Sequence, residues 1–253
     1  MTEIFASVVA DPRFPFALAI SVIAGLVRGF TGFGSALIYI PLISAVYGPS
    51  IAAPTLLLFD TICSVPFAIQ CWPASTRREV LPVAVAAALA LPVGVIALLY
   101  VDALILRWFI AVLVLIALVA LITGWRYHGR PTLAASLGVG AFAGFGSGAV
   151  QIAAPALLVF WLGGPNNATT VRANIMVLFA ILGMLAIAAY AIAGVFDAEV
   201  LMLGFVLGVP FVIAMTIGAR WFRGTSDTLY RRVAYIIIAF SGLVSLPLFD
   251  ALR

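Results

Sequence analysis

The 253-residue sequence has no lysine, one histidine and two cysteines, and only 9% of its residues are charged. Each shortage closes a class of function. The net charge of +4 is carried wholly by arginine, and in so apolar a chain it reports orientation, not a nucleic-acid partner. His128 lies between Arg126 and Arg130, where a lone imidazole makes a poor metal site, so neither metal nor cofactor is expected. Cys63 and Cys71 fall in one predicted helix, about 12 Å apart by helical rise, too far for a disulfide or a redox pair. They read as apolar fillers. The opening MTEIFASVVADPR carries acids and no basic n-region, so no cleaved signal peptide is expected.

What is present is hydrocarbon. With 65% hydrophobic residues and a mean hydropathy of +1.26, the chain is expected to be an all-α integral membrane protein with no room for a soluble domain. Apolar segments span 14–47, 51–72, 80–100, 104–125, 133–162, 168–194, 200–221 and 230–249. One long block and three medium ones are followed by the same series again. The tetrapeptide GFGS occurs at 32–35 and 144–147, followed in both cases by a proline, Pro41 or Pro155, and then by Gly48-Pro49 or Gly164-Pro165. This order predicts two homologous halves, 1–126 and 127–253.

Short arginine-rich loops stay cytoplasmic. Arg77 with Arg78, Arg126 with Arg130, and Arg220, Arg223, Arg231 and Arg232 mark three such joints, whereas the joints holding Asp102 and Asp197 with Glu199 face outward. Between the second arginine loop and Asp197 the chain must cross an odd number of times, yet it offers one unbroken helix plus one long glycine-broken block. Arms of 12 to 15 residues, roughly 20 Å, are short of the ~30 Å hydrocarbon core. The expected architecture is therefore two inverted repeats, each a re-entrant hairpin (14–47, 133–162) plus three transmembrane helices, with both termini outside. Trp72, Trp108, Trp125, Trp161 and Trp221 close segments, as interface anchors do.

Broken backbone at membrane depth must be buried in protein or line a watery cavity. Paired breaks near the midplane would turn two helix N-termini, with their free N–H groups and positive dipole ends, toward one anion. Gly29, Gly32 and Gly34 in one tip, and Gly144, Gly146 and Gly148 in the other, would let backbone approach a ligand, with Ser35 and Ser147 at N-cap positions; close helix packing and simple capping are the plain alternatives. Arg28 is the only charge between Phe14 and Phe59. At the bilayer centre a guanidinium costs about 2.5–3.5 kcal/mol on insertion scales, so it is expected to offset the negative C-terminal end of its own arm, bind an anionic substrate or pair with Asp60, the one acid in the centre of a span. Asp60 can carry a coupling proton or form a structural ion pair, and pairing is the favoured role. Thr31 and Gln151 are neutral donors near the tips. Arg172 and Asn174, at the polar start of the sixth segment, are further candidates for the ligand, with snorkelling to the surface the plain alternative for Arg172.

The stretches AGLVRGFTGFGSALIYIPLISAVYGP and GAFAGFGSGAVQIAAPALLVFWLGGPNNATTVRANIMVLF resemble the TauE/SafE family of sulfite exporters, whose two halves each open with a glycine-rich segment followed by an apolar stretch and proline. Ser35-Ala36 and Ser147-Gly148 stand where a further glycine pair is common. The resemblance implies transport of sulfite or a small organosulfur anion such as sulfoacetate across the bacterial inner membrane. The residues themselves support a secondary transporter, with an anion channel as the alternative and an intramembrane enzyme further behind, since Ser147 has no intramembrane histidine or lysine to activate it. A proton or other coupling ion, and either a monomer or a homodimer, remain open at this level.

Overall fold

A computed structural model of the chain describes residues 2–31, 34–123, 132–162 and 166–221. The segment 230–249, Gly32, Gly164-Pro165, His128 and the arginines at 126, 130, 223, 231 and 232 lie outside the described residues, as do the side chains of Thr31 and Trp221. All regular structure among the described residues is helical: α1 (Thr2–Ala10), α2 (Phe14–Thr31), α3 (Ser35–Tyr47), α4 (Pro49–Cys71), α5 (Arg77–Tyr100), α6 (Ala103–Thr123), α7 (Leu133–Val150), α8 (Ala154–Leu162), α9 (Ala168–Ile192) and α10 (Ala198–Trp221). Six are long and apolar enough to cross a membrane: α4, α5, α6, α7, α9 and α10. The nine-residue α1 is not foreshadowed by hydropathy. It meets α2 at 86°, and at that corner Arg13 grips the Asp11 carboxylate at 2.8 Å and lies 4.4 Å over the Tyr47 ring. The hydrogen bond from Arg13 holds the Asp11 carboxyl below its ordinary pKa.

The long blocks do break, but into unequal arms. α2 and α7 have 18 residues each, about 27 Å and close to a full crossing, whereas α3 has 13 and α8 has nine, roughly 20 and 14 Å. The second break also lies elsewhere than at GFGS. α7 runs unbroken through Gly144–Gly148 and ends two turns later than that motif suggests. α2 starts at Phe14 and α7 at Leu133, α3 at Ser35 and α8 at Ala154, α4 at Pro49 and α9 at Ala168, the same offset of 119 residues each time. In this register Gly25 and Gly29 correspond to Gly144 and Gly148. The two GFGS tetrapeptides, 112 residues apart, do not coincide in this register.

Helix pairing explains why glycines sit in a helix that their propensity disfavours by about 1 kcal/mol each. A Cβ on Gly25 or Gly29 would run into the carbonyls of Phe211 and Met215 on α10, and one on Gly144 or Gly148 into those of Ala87 and Leu91 on α5. Small residues spaced by four thus bring α2 onto α10 and α7 onto α5, backbone to backbone, as in other membrane bundles. These are the two most extensive helix contacts described, and α4 against α9 follows. Exchanging α2 with α7, α4 with α9 and α5 with α10 maps this pairing onto itself. Tyr39, Trp161, Tyr190 and Phe211 are fully buried in the interior. Trp161 is thus no interface anchor, in contrast to exposed Trp72 and Trp108, because its short helix α8 is enclosed by α6, α7 and α9.

Candidate functional site between two helix breaks

The first break is made by Gly34, whose φ of 98° is a left-handed conformation that other residues enter at a cost of about 1–2 kcal/mol. The second is made by Gln151, the only non-glycine residue with positive φ among those described, at 56°. Its N–H donates to the Ser147 carbonyl at 3.2 Å, the bond of a left-handed helix cap, and the next N–H, of Ile152, donates to the Gly146 carbonyl at 3.1 Å. A second bond from Gln151 Nε2 to the same Ser147 carbonyl, at 2.7 Å, helps hold glutamine where glycine is usual.

Both breaks open onto one cavity of about 50 Å³, room for roughly four water-sized atoms. Gly34, Ser35 and Ala36 line it at the start of α3, and Ile152, Ala153 and Ala154 at the start of α8. The first four N–H groups of a helix have no partner inside it, so two positive helix ends meet at this space. Arg28, from the last turn of α2, and Asp60, from α4, also line it. Arg28 is 5% exposed. Its Nη2 donates to Asp60 Oδ2 at 3.2 Å and to Ser64 Oγ. Asp60 further accepts from Ser35 Oγ on Oδ1 at 2.9 Å, and Ser64 Oγ lies 3.4 Å from Oδ2. The expected Arg28–Asp60 pair therefore forms, and it forms in the wall of the cavity.

Of the residues singled out from sequence, the fold gathers Arg28, Gly34, Ser35, Asp60 and Gln151 around this space. The others whose side chains are described lie apart from it. Gly29, Gly144 and Gly148 face neighbouring helices, and Gly146 lies under the Ile152 carbonyl. Ser147 is buried in the body of α7, not at a cap. Arg172 is exposed. Asn174 is fully buried and its Oδ1 accepts from the Thr76 N–H at 2.7 Å, fastening α9 to the start of α5, as does Asn166 through Glu79 at 2.7 Å. Sequence reasoning missed Ser64, Thr61, Phe179 and Gly183. Ser64 was within reach: it stands four residues after Asp60, one turn along the same helix face. Phe179 and Gly183 correspond to Asp60 and Ser64 in the 119-residue register, and Ser147 to Arg28, so the charged groups all come from one half.

Six or more apolar helices long enough to cross a membrane, among the described residues, define a multi-pass membrane protein. The chain belongs to the sulfite exporter TauE/SafE family, whose sequence model matches residues 17–245. It is thus a member of a family of membrane transporters. No curated protein and no solved structure matches the chain.

Proposed function

We propose that the chain is a secondary transporter that moves sulfite or a small organosulfur anion such as sulfoacetate across the bacterial inner membrane by alternating access. The observation that carries this reading is the convergence of two helix N-termini and Arg28 on one small cavity. Such an arrangement offers an oxyanion aligned N–H donors together with a planar guanidinium fork. The two halves, 1–126 and 127–253, act as inverted repeats that rock around this fixed point, with both termini periplasmic. The reciprocal pairing of α2 with α10 and α7 with α5 supports it, because each half then carries one rigid two-helix unit borrowed partly from the other.

Uptake into liposomes containing the purified protein tests the reading. Sulfite, sulfoacetate, sulfate and chloride are compared with and without an imposed proton gradient. Saturable movement of sulfite or the sulfonate, shifted by the gradient, is the expected result. Unsaturable flux indifferent to the gradient would instead identify an anion channel, and no flux of any of the four would remove the substrate assignment.

A further inference from the structure

A threonine hydroxyl inside an apolar helix ordinarily bonds to its own backbone. Thr55, Thr123 and Thr216 each donate Oγ1 to a carbonyl three or four residues back, at 2.7 Å. Thr61 on α4 does not. The residue is 5% exposed, and its Oγ1 has no hydrogen-bond partner among the described residues, yet it is not sealed in protein. Burying a hydroxyl without an acceptor is costly, and native structures rarely leave one so without a reason.

The surroundings of Thr61 supply that reason. It lines the cavity beside Asp60, and Gly183 of α9 lines it too. A Cβ on Gly183 would lie 2.6 Å from Thr61 Oγ1 and 2.9 Å from its Cγ2. Glycine therefore leaves a notch in α9, and the Thr61 side chain fills it at the cavity wall. The other polar side chains of the wall already have protein partners. Ser35 Oγ donates to Asp60, Gln151 Nε2 to the Ser147 carbonyl, and Arg28 Nη2 to Asp60 and Ser64. Among the described residues of the wall, Thr61 is the polar side chain with none.

We propose that Thr61 is a ligand-contacting residue: its Oγ1–H donates to an oxygen of the bound anion, and Gly183 gives the hydroxyl room to stand there. The assignment deepens the anion-site reading above and rests on it. Without ligand, water in the cavity serves the hydroxyl. With ligand, an oxygen of sulfite or of a sulfonate takes the place of that water. A sulfur oxyanion carries several oxygens, so one can engage Arg28 while another accepts from Thr61. The contact is neutral and directional, and it does not depend on the balance of charge around the cavity.

Two variants of the full chain in detergent test this, read by calorimetric titration with sulfite and by thermal melting without it. Thr61→Val keeps the branched shape and removes only the hydroxyl. Its affinity for sulfite should fall about ten- to a hundredfold, the loss of one hydrogen bond to a charged group. Its melting temperature should stay at or above that of the unaltered protein, because no bond within the protein is lost. Thr61→Ser restores the donor and should bind sulfite close to the unaltered protein. Unchanged affinity in Thr61→Val overturns the assignment and leaves the anion site standing. So does a fall in melting temperature with Thr61→Val, which marks a structural hydroxyl, or an equal loss of affinity in Thr61→Ser, which marks the methyl group. An unaltered protein that binds no sulfite overturns the anion site, and the assignment with it.

Discussion

Arg28 is one side chain with two obligations, since it neutralises Asp60 and faces the cavity. The two can be separated by substitution. Arg28→Gln removes the charge and leaves the Asp60 carboxylate with hydroxyl donors only; breaking such a pair costs about 3–5 kcal/mol where both ions are buried, and less here because Asp60 is 22% exposed. Thermal melting should fall accordingly, and sulfite binding should be lost. Arg28→Lys keeps the charge but not the bidentate fork. It should melt close to the parent while its affinity for sulfite drops roughly tenfold, the loss of about one charge-assisted hydrogen bond. Unchanged affinity in a folded Arg28→Gln protein, read by calorimetry, would remove this arginine from the site. The pair itself was legible in sequence, because a lone arginine and a lone acid deep in apolar segments have few other ways to be satisfied. The role of Ser35 as a donor to Asp60 was not, since it depends on how α3 sits against α4.

At the scale of the helix, glycine serves two ends in this molecule, and only one of them concerns the cavity. Gly34 turns the chain, whereas Gly29, Gly144 and Gly148 let helix backbones touch. Gly144→Leu should force α7 away from the Ala87 carbonyl and destabilise the protein by about 1–3 kcal/mol or more. Gly138→Leu, on the same helix with nothing within 4 Å, should be tolerated. Comparing the melting temperatures of the two variants in detergent checks this, and equal destabilisation would mean that the α5–α7 contact is not as close as described. The same reasoning explains why the second break was misplaced from sequence. A glycine cluster reads as a break when the neighbour is unknown, and as a seam once α5 is seen lying against it. The actual break falls on a glutamine, a residue with no propensity signal for a left-handed turn.

For the whole molecule, the charge distribution of the joints predicts which side each faces. With Cys63 and Cys71 replaced by alanine, a cysteine placed at Asp197 should react with an impermeant thiol reagent from the periplasm, and one placed at Thr225 should not. The reverse pattern would overturn the inverted arrangement and the placement of both termini. The fold also separates two kinds of symmetry. The starts of α2, α3 and α4 recur in α7, α8 and α9 at a constant offset, but Arg28, Asp60 and Ser64 meet Ser147, Phe179 and Gly183 at the corresponding places. A rocking mechanism needs the backbone symmetry. The cavity takes its charged side chains, Arg28 and Asp60, from one half.

Composition alone determined that the chain is helical and lies in a membrane, because a polypeptide so poor in charge cannot be solvated by water and must satisfy its backbone internally. Hydropathy likewise gave the approximate bounds of the long segments among the described residues, and isolated charges within them pointed to Arg28 and Asp60. Tertiary structure decided which glycines turn the chain and which pack, where the second break falls, and that Gln151 and the start of α8 come round to face Arg28. Those outcomes depend on contacts between residues more than 100 positions apart, such as Gly29 with Met215. No local pattern encodes such an approach, because its energy belongs to the fit between two surfaces.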